Sequence, residues 1–231
     1  MVFAVGFALS GALVAAAFAL ELAQQWRNRR RHHALAWSLA LSAYAVGMLA
    51  LASGFGFGWT PGSFALYWVT GALLNVPLLA VGQLQLLDPA RAALWWTVGG
   101  LSAVWSLGAV ALTPIDTGVL AAADAAGGIP AGREAFAGGL AYTVLRPMTI
   151  LGSLVVIVGS VYSSLRTRRY GIALIALGVA VSATSSRFLV AGLDEMVAVV
   201  LAVGVAVMYA GFRAASRLPR DRRQKASANP A

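Results

Sequence analysis

Seven blocks of about twenty apolar residues divide this chain, and they restrict its possible folds more than any other feature. At a rise of 1.5 Å per residue, a helix of about twenty residues crosses a hydrocarbon layer of about 30 Å. Inside that layer a single helix satisfies its own backbone hydrogen bonds, whereas an open strand does not. The sequence therefore predicts an all-α bundle of seven transmembrane helices. The predicted spans are 2–22, 34–53, 64–87, 94–112, 141–165, 171–190 and 194–212.

The composition indicates that the bilayer, rather than water, is the solvent of this fold. Hydrophobic residues make up 60% of the 231 residues and charged residues only 11%, against about 25% charged residues in soluble domains. The net charge of +9 comes from basic residues clustered at the ends of the apolar blocks. Clusters in that position are typical of topology signals and contacts with anionic lipids. We expect membrane lipids as partners and no nucleic acid.

The distribution of basic residues predicts the orientation. Alternating loops place fourteen of the seventeen Lys and Arg residues on one side and leave Arg133, Arg146 and Arg187 on the other. Because positively charged loops stay in the cytoplasm, the N-terminus is predicted outside and the C-terminus inside a cytoplasmic (inner) membrane. No basic residue precedes the first block, which is therefore predicted to be an uncleaved anchor.

Two polar regions interrupt this pattern. The connection 113–140, rich in Ala and Gly, is the longest loop, and its sequence is compatible with a lid or partner-binding loop or with a partly helical connector. Residues 216–231 form a basic, polar tail that we predict to be disordered. The predicted domains are thus a transmembrane domain, 1–215, and a cytoplasmic tail, 216–231.

Residues that carry recognisable chemistry are scarce. The chain has no cysteine, which excludes disulfides, thiolate metal sites and thiol nucleophiles. Its single lysine, Lys225, lies in the tail, so the last helix cannot form a retinal Schiff base. His32 and His33 are adjacent in a loop rather than placed within helices for haem ligation. We predict no cofactor, no metal and no catalytic residues.

A small polar layer is predicted near the middle of the membrane. Asn75 lies near the centre of the third block, and Pro77 removes a backbone donor one turn along the helix. Lipid cannot satisfy such polar groups, so a neighbouring helix, water or a ligand must do so. Counted from the interfaces, Tyr44 and Trp105 with Ser106 reach a similar depth, and Ser182 lies somewhat further out. The set could line a ligand pocket, or Asn75 could bond to Tyr44 or Ser182 as interhelical glue.

The outer membrane edge carries a second polar group. Arg187 ends the sixth block, Asp194 and Glu195 begin the seventh, and Arg146 lies near the start of the fifth. Acidic residues at a helix N-terminus are stabilised by the helix dipole, which favours a local ion pair. The alternative is an outer-face ionic cluster that binds an anion or a lipid headgroup.

Small residues recur about every seven positions on the last three blocks and indicate close helix approach. They support tight packing within the bundle or, equally, a homo-oligomer interface. The residues concerned are Gly152, Gly159, Gly171, Gly178, Gly204 and Gly211.

The segments 150–154, 159–163 and 171–178 carry a resemblance to known proteins. Across residues 145–192 the chain resembles uncharacterised seven-helix membrane proteins of GC-rich, actinobacterial-type bacteria. The excess of arginine over the single lysine is also typical of a GC-rich genome. The resemblance implies a seven-helix fold and brings no activity with it.

These features predict a non-enzymatic integral membrane protein. It binds a small apolar or amphiphilic ligand or a lipid, or it is an accessory subunit of a membrane complex. One alternative is a facilitative permease without ion coupling, which Asn75 and Pro77 favour. The other is a membrane enzyme that uses the outer-face ionic cluster.

Overall fold

The computed structural model describes residues 2–168 and 170–227, with side chains described except at 145–146 and from 217 onward. The described residues form helices and no strands. Seven helical spans are long and apolar enough to cross a membrane, which confirms the predicted all-α bundle and a multi-pass membrane protein. The spans are Val2–Arg29, His32–Phe57, Pro61–Leu87, Pro89–Leu112, Leu140–Thr167, Tyr170–Val190 and Asp194–Ser216.

The spans extend beyond the predicted apolar blocks because a helix, once nucleated, propagates into its polar flanks at little cost. A π-helical segment, Val69–Leu74, joins α3 to α4, and a 3₁₀ turn, Pro89–Arg91, precedes α5. The helices are α1 Val2–Arg29, α2 His32–Phe57, α3 Pro61–Trp68, α4 Asn75–Leu87, α5 Ala92–Leu112, α6 Thr117–Ala126, α7 Gly132–Ala135, α8 Leu140–Thr167, α9 Tyr170–Ala183, α10 Ser185–Val190 and α11 Asp194–Ser227.

Six of the spans form a closed ring. Around it α1 packs on α2, α2 on α3 and α4, α4 on α8, α8 on α9, α9 on α11, and α11 returns to α1. The fourth span, α5, lies outside the ring against α4 and α8. Its outward side chains, such as Leu101 and Val104, are exposed apolar groups suited to contact with lipid. The ring leaves space at its centre, whereas α5 contributes mainly to the periphery.

The predicted glycine face packs inside the chain. A Cβ on Gly171 would lie 2.7 Å from the Gly211 carbonyl oxygen, and one on Gly178 would lie 2.5 Å from the Gly204 carbonyl oxygen. The backbones of α9 and α11 are therefore in direct contact along two turns. Small residues allow this approach, which maximises van der Waals contact where the hydrophobic effect is absent.

The long connection between the fourth and fifth spans is folded. We call residues 113–139 the cap; it contains α6 and α7. The buried Trp59 holds it, because its indole nitrogen donates to the Gly128 carbonyl at 2.9 Å and its backbone N–H donates to Asp124 Oδ1 at 2.7 Å. Phe136 packs on Phe64 with ring centroids 5.3 Å apart. The connection is partly helical, and its role as a lid, a partner-binding loop or a connector stays a prediction. The bundle thus has a cap end and an opposite arginine end.

The last helix continues beyond the predicted domain boundary at residue 215. Residues 216–227, predicted as a disordered tail, extend α11 as a helix to Ser227. Extension from an already formed helix avoids the nucleation cost that an isolated polar segment would face. The remaining predicted tail, 228–231, lies outside the described residues.

Candidate functional site

A cavity of about 610 Å³ lies among the second, third, fifth, sixth and seventh spans. Its wall is mostly aliphatic and aromatic, and no charged side chain occurs among the lining residues that the structure describes. This volume lies within the range of small-molecule pockets, which combine apolar walls with a few fixed polar groups. The cavity is therefore a candidate binding site.

Asn75 is the buried polar group on this wall. Its side chain is only 4% exposed, and the amide nitrogen donates to the Gly71 carbonyl at 3.4 Å. The amide oxygen, Oδ1, is buried and has no hydrogen-bond partner. An unsatisfied buried acceptor costs about 1–3 kcal/mol, so the native protein gains if something supplies a donor.

The irregular backbone of the third span positions Asn75. The π-helical segment ends immediately before it, and π-bulges of this kind are frequent at functional sites. Pro77 lacks the N–H that would bond the Leu73 carbonyl. Ser106 lies 3.4 Å from that carbonyl, although its hydroxyl is closer, at 2.7 Å, to the Ser102 carbonyl. The backbone thus departs from regular α-helix beside the cavity.

Two of the other predicted residues also reach the cavity. Tyr44 and Ser182 line its wall, and the Tyr44 hydroxyl donates to the Leu201 carbonyl at 2.8 Å, which joins α2 to α11. The predicted hydrogen bond from Asn75 to Tyr44 or Ser182 does not form. The Asn75 amide nitrogen instead donates to a carbonyl of its own span.

Trp105 does not belong to this group. It is 56% exposed on α5 and lies outside the cavity. Adjacent residues on a helix point about 100° apart, so only one of Trp105 and Ser106 can face the bundle. The structure buries Ser106 and leaves Trp105 on the periphery. The prediction that Trp105 lines the pocket is therefore wrong.

An aromatic group connects the cavity to the cap, and sequence analysis did not include it in the predicted site. Tyr67 and Trp68 line the cavity. The Trp68 ring also packs on Phe136 of the cap, with centroids 5.3 Å apart, and its indole nitrogen donates to the Ala141 carbonyl at 3.5 Å. The cluster of aromatic residues between 59 and 68 was the available signal, but its partner in the cap was not predictable.

The predicted ionic cluster has a different arrangement at the cap end. Arg187 is exposed, and no ion pair joins it to Asp194 among the described side chains. The Asp194 carboxylate instead lies against the cap backbone, since a Cβ added to Gly128 would collide with Asp194 Oδ2. Glu195 is half-buried beside it, and the side chain of Arg146 lies outside the described residues. Asp194 therefore helps to hold the cap, because the start of α11 lies beneath it.

A second set of buried polar groups lies further along α4, toward the arginine end. Gln83 is fully buried and Gln85 is 2% exposed. Ser160 donates to Gln83 Oε1 at 3.4 Å, but Gln83 Nε2 and both amide atoms of Gln85 have no partner. Sequence analysis missed these glutamines because they lie near the end of an apolar block, where polar residues are ordinary.

The acidic residue within the first span has partners of its own. Glu21 accepts a short hydrogen bond from the Tyr209 hydroxyl and lies 3.9 Å from Arg213 of α11. Arg213 also packs over the Tyr209 ring, 5.6 Å from its centroid. This group ties α1 to α11 at the arginine end, which is a structural role. No three His, Cys, Asp or Glu side chains come together as a metal site in the described residues.

Comparison with known proteins adds no relatives to this description. No protein-family model, no curated protein sequence and no solved structure matches the chain. The resemblance to seven-helix proteins of GC-rich bacteria stays a prediction. The chemistry of the cavity is therefore the basis on which a function is assigned.

Proposed function

We propose that this protein is a non-enzymatic membrane protein that binds a small apolar or amphiphilic molecule in the cavity between its spans. The observation that carries the proposal is a cavity of about 610 Å³ whose apolar wall holds a buried amide acceptor without a partner, Asn75 Oδ1. Burying a polar side chain within a transmembrane segment costs free energy, so such side chains often belong to functional sites.

The surroundings of Asn75 support binding rather than simple packing. The irregular third span next to it is costly to maintain and lines the cavity at Gly71 and Ala72. The cap covers Trp68, which is part of the same wall. The ligand would enter from the bilayer or past the cap, and both routes suit an apolar molecule.

The test is to fill the cavity. Ala72→Phe places a ring in the cavity wall, whereas Ala111→Phe places the same ring on the exposed side of α5. We expect small molecules extracted from the purified Ala111→Phe protein to match those of the unmodified chain, and their amount to fall about tenfold in Ala72→Phe. Mass spectrometry of the extracts measures the difference, and a melting curve confirms folding. Equal amounts in both variants would refute the proposal.

A second candidate function is a facilitative permease without ion coupling. The observation that favours it is the run of buried polar groups from Asn75 to Gln83 along α4, which extends beyond the cavity toward the arginine end. Counterflow of labelled metabolites into proteoliposomes tests this function. Flux that disappears in Gln83→Leu but persists in Gln25→Leu, a change at the arginine end of α1, would establish it.

We infer that the protein lies in a cytoplasmic (inner) membrane with its cap end outside and its arginine end in the cytoplasm. The support is the bias of basic residues toward one end. Bilayer lipids are the proposed partners of the exposed apolar side chains on α5. A membrane-protein partner or a second copy of the chain would bind to that same surface. We propose no catalytic role for the ionic cluster, because the Asp194 carboxylate lies against the cap backbone.

A further inference from the structure

We propose that the cavity selects uncharged molecules that donate a hydrogen bond, and that Asn75 Oδ1 receives it. The ligand is then an otherwise apolar alcohol, or a molecule with one comparable N–H group. This inference rests on the proposed ligand binding and adds the chemical class of the ligand. It assigns Asn75 as the residue that determines specificity.

The orientation of the Asn75 amide fixes which kind of polar group is free. The Gly71 carbonyl can only accept, so the amide nitrogen must face it, and the structure places them 3.4 Å apart. Oδ1 is consequently the unpartnered atom. Because Oδ1 is an acceptor, a ligand that satisfies it must bring a donor. An ether, a ketone or an ester oxygen would leave it unsatisfied.

Two of the neighbouring protein donors are committed elsewhere. The Tyr44 hydroxyl donates to the Leu201 carbonyl, and the Ser106 hydroxyl donates to the Ser102 carbonyl, 2.7 Å away. Pro77, two residues after Asn75, has no N–H at all. Hydrocarbon chains of lipids offer no donor. The structure gives Asn75 Oδ1 no protein donor, so we assign the donor to a molecule in the cavity.

The charge of the wall excludes ionic ligands. None of the lining side chains that the structure describes is Asp, Glu, Lys, Arg or His. Moving an unpaired charge into such surroundings is far more costly than moving a hydroxyl group, which needs only one acceptor. The cavity also exceeds what a single water molecule requires, about 30 Å³, by a wide margin. An apolar body with one hydroxyl fits these conditions.

Three probes of one chain length test the inference: dodecan-1-ol, its methyl ether and dodecylammonium. Saturable binding is measured on the full chain in lipid nanodiscs, with empty nanodiscs correcting for partition into lipid. We expect the alcohol to bind about tenfold more tightly than the ether, which is the loss expected for one unsatisfied buried acceptor. Dodecylammonium should show no saturable binding.

Two variants assign the preference to one atom. In Asn75→Leu the alcohol should bind no more tightly than the ether, whereas Ser153→Ala, which removes another hydroxyl from the cavity wall, should keep the tenfold preference. Retained binding of the ether shows that Asn75→Leu is folded. If Ser153→Ala rather than Asn75→Leu abolished the preference, the role of Asn75 would be wrong.

The comparison of alcohol and ether in the unmodified chain needs no variant. Equal saturable binding of the two would overturn the inference and leave the proposed function intact. Tighter binding of dodecylammonium would overturn it as well. Absence of saturable binding by all three probes, together with no co-purifying small molecule, would remove both the inference and the proposed function.

Discussion

Gly178 shows how little space separates two helices of the bundle. A Cβ at this position would lie 2.5 Å from the Gly204 carbonyl oxygen and 2.8 Å from the Met208 backbone nitrogen. Both neighbours are backbone atoms of α11, which cannot move without moving the helix. A single methyl group would therefore push α9 and α11 apart, and both helices line the cavity.

Gly178→Ala is expected to destabilise the protein. Overpacking costs about 1–3 kcal/mol, which corresponds to a fall in melting temperature of roughly 5 °C for a chain of this size. Gly108→Ala on α5 is the matched control, because nothing lies within 4 Å of its added Cβ. That variant should melt no lower than the unmodified protein, since alanine favours helix over glycine. Thermal melting in detergent measures the stability of both variants. Equal melting temperatures of the two would contradict the close contact between α9 and α11.

The irregular helix of the third span positions Asn75, which no single residue of the span does alone. Regular helix over residues 61–87 would place Asn75 differently and would satisfy the Leu73 carbonyl internally. The π-helical segment and Pro77 prevent this. The π-helical segment lies against Gly47 of α2, whose added Cβ would be 2.8 Å from the Gly71 Cα. The element gives up helical hydrogen bonding at mid-depth and exposes polar groups to the cavity.

Pro77→Ala is expected to raise stability and weaken ligand binding. The new N–H can bond the Leu73 carbonyl, so the span becomes more regular and melts a few degrees higher. The same change shifts Asn75, and binding of dodecan-1-ol should weaken several-fold. Pro147→Ala in α8 is the control, because Pro147 also lies inside a helix but is not adjacent to Asn75; neither proline itself lines the cavity. It should raise stability and leave binding unchanged. Unchanged binding of dodecan-1-ol in Pro77→Ala would show that the proline has no effect on the binding site.

At the scale of the whole molecule, the ring of six spans decides where the cavity can be. Every span of the ring except α1 contributes to the cavity wall, and α5 contributes nothing to it. The cap closes one end of the ring through Trp59, Asp194 and Phe136. The arginines of the connecting loops occupy the opposite end, so the molecule is asymmetric along the membrane normal.

That asymmetry predicts which end faces the cytoplasm, and the absence of native cysteine makes the test free of background. Glu134→Cys lies on the exposed surface of the cap, and His32→Cys lies at the exposed start of α2. An impermeant maleimide should label Glu134→Cys in intact cells and His32→Cys only after lysis. The reverse pattern would overturn the orientation, and labelling of both in intact cells would contradict the three crossings between the two positions.

The amino-acid sequence by itself determined the number of spans, and it predicted the depth of Asn75. Both depend on local quantities: the length of an apolar block against the thickness of the hydrocarbon layer, and the distance of a residue from the ends of its block. The interruption of helical hydrogen bonding at Pro77 is local in the same way, because proline has no backbone N–H. These features do not depend on which helices meet.

Only the tertiary structure decided which faces meet. In a soluble protein the apolar face of a helix marks the interior, but in a bilayer lipid and protein are equally apolar, so hydrophobic periodicity does not distinguish them. For this reason Trp105 was predicted in the pocket and lies outside it, while Ser106 is buried. The glycine face, compatible with an oligomer by sequence, packs inside the chain, and Asp194 binds the cap rather than Arg187. Each of these outcomes depends on the relative rotation of helices, which is a property of the assembled bundle.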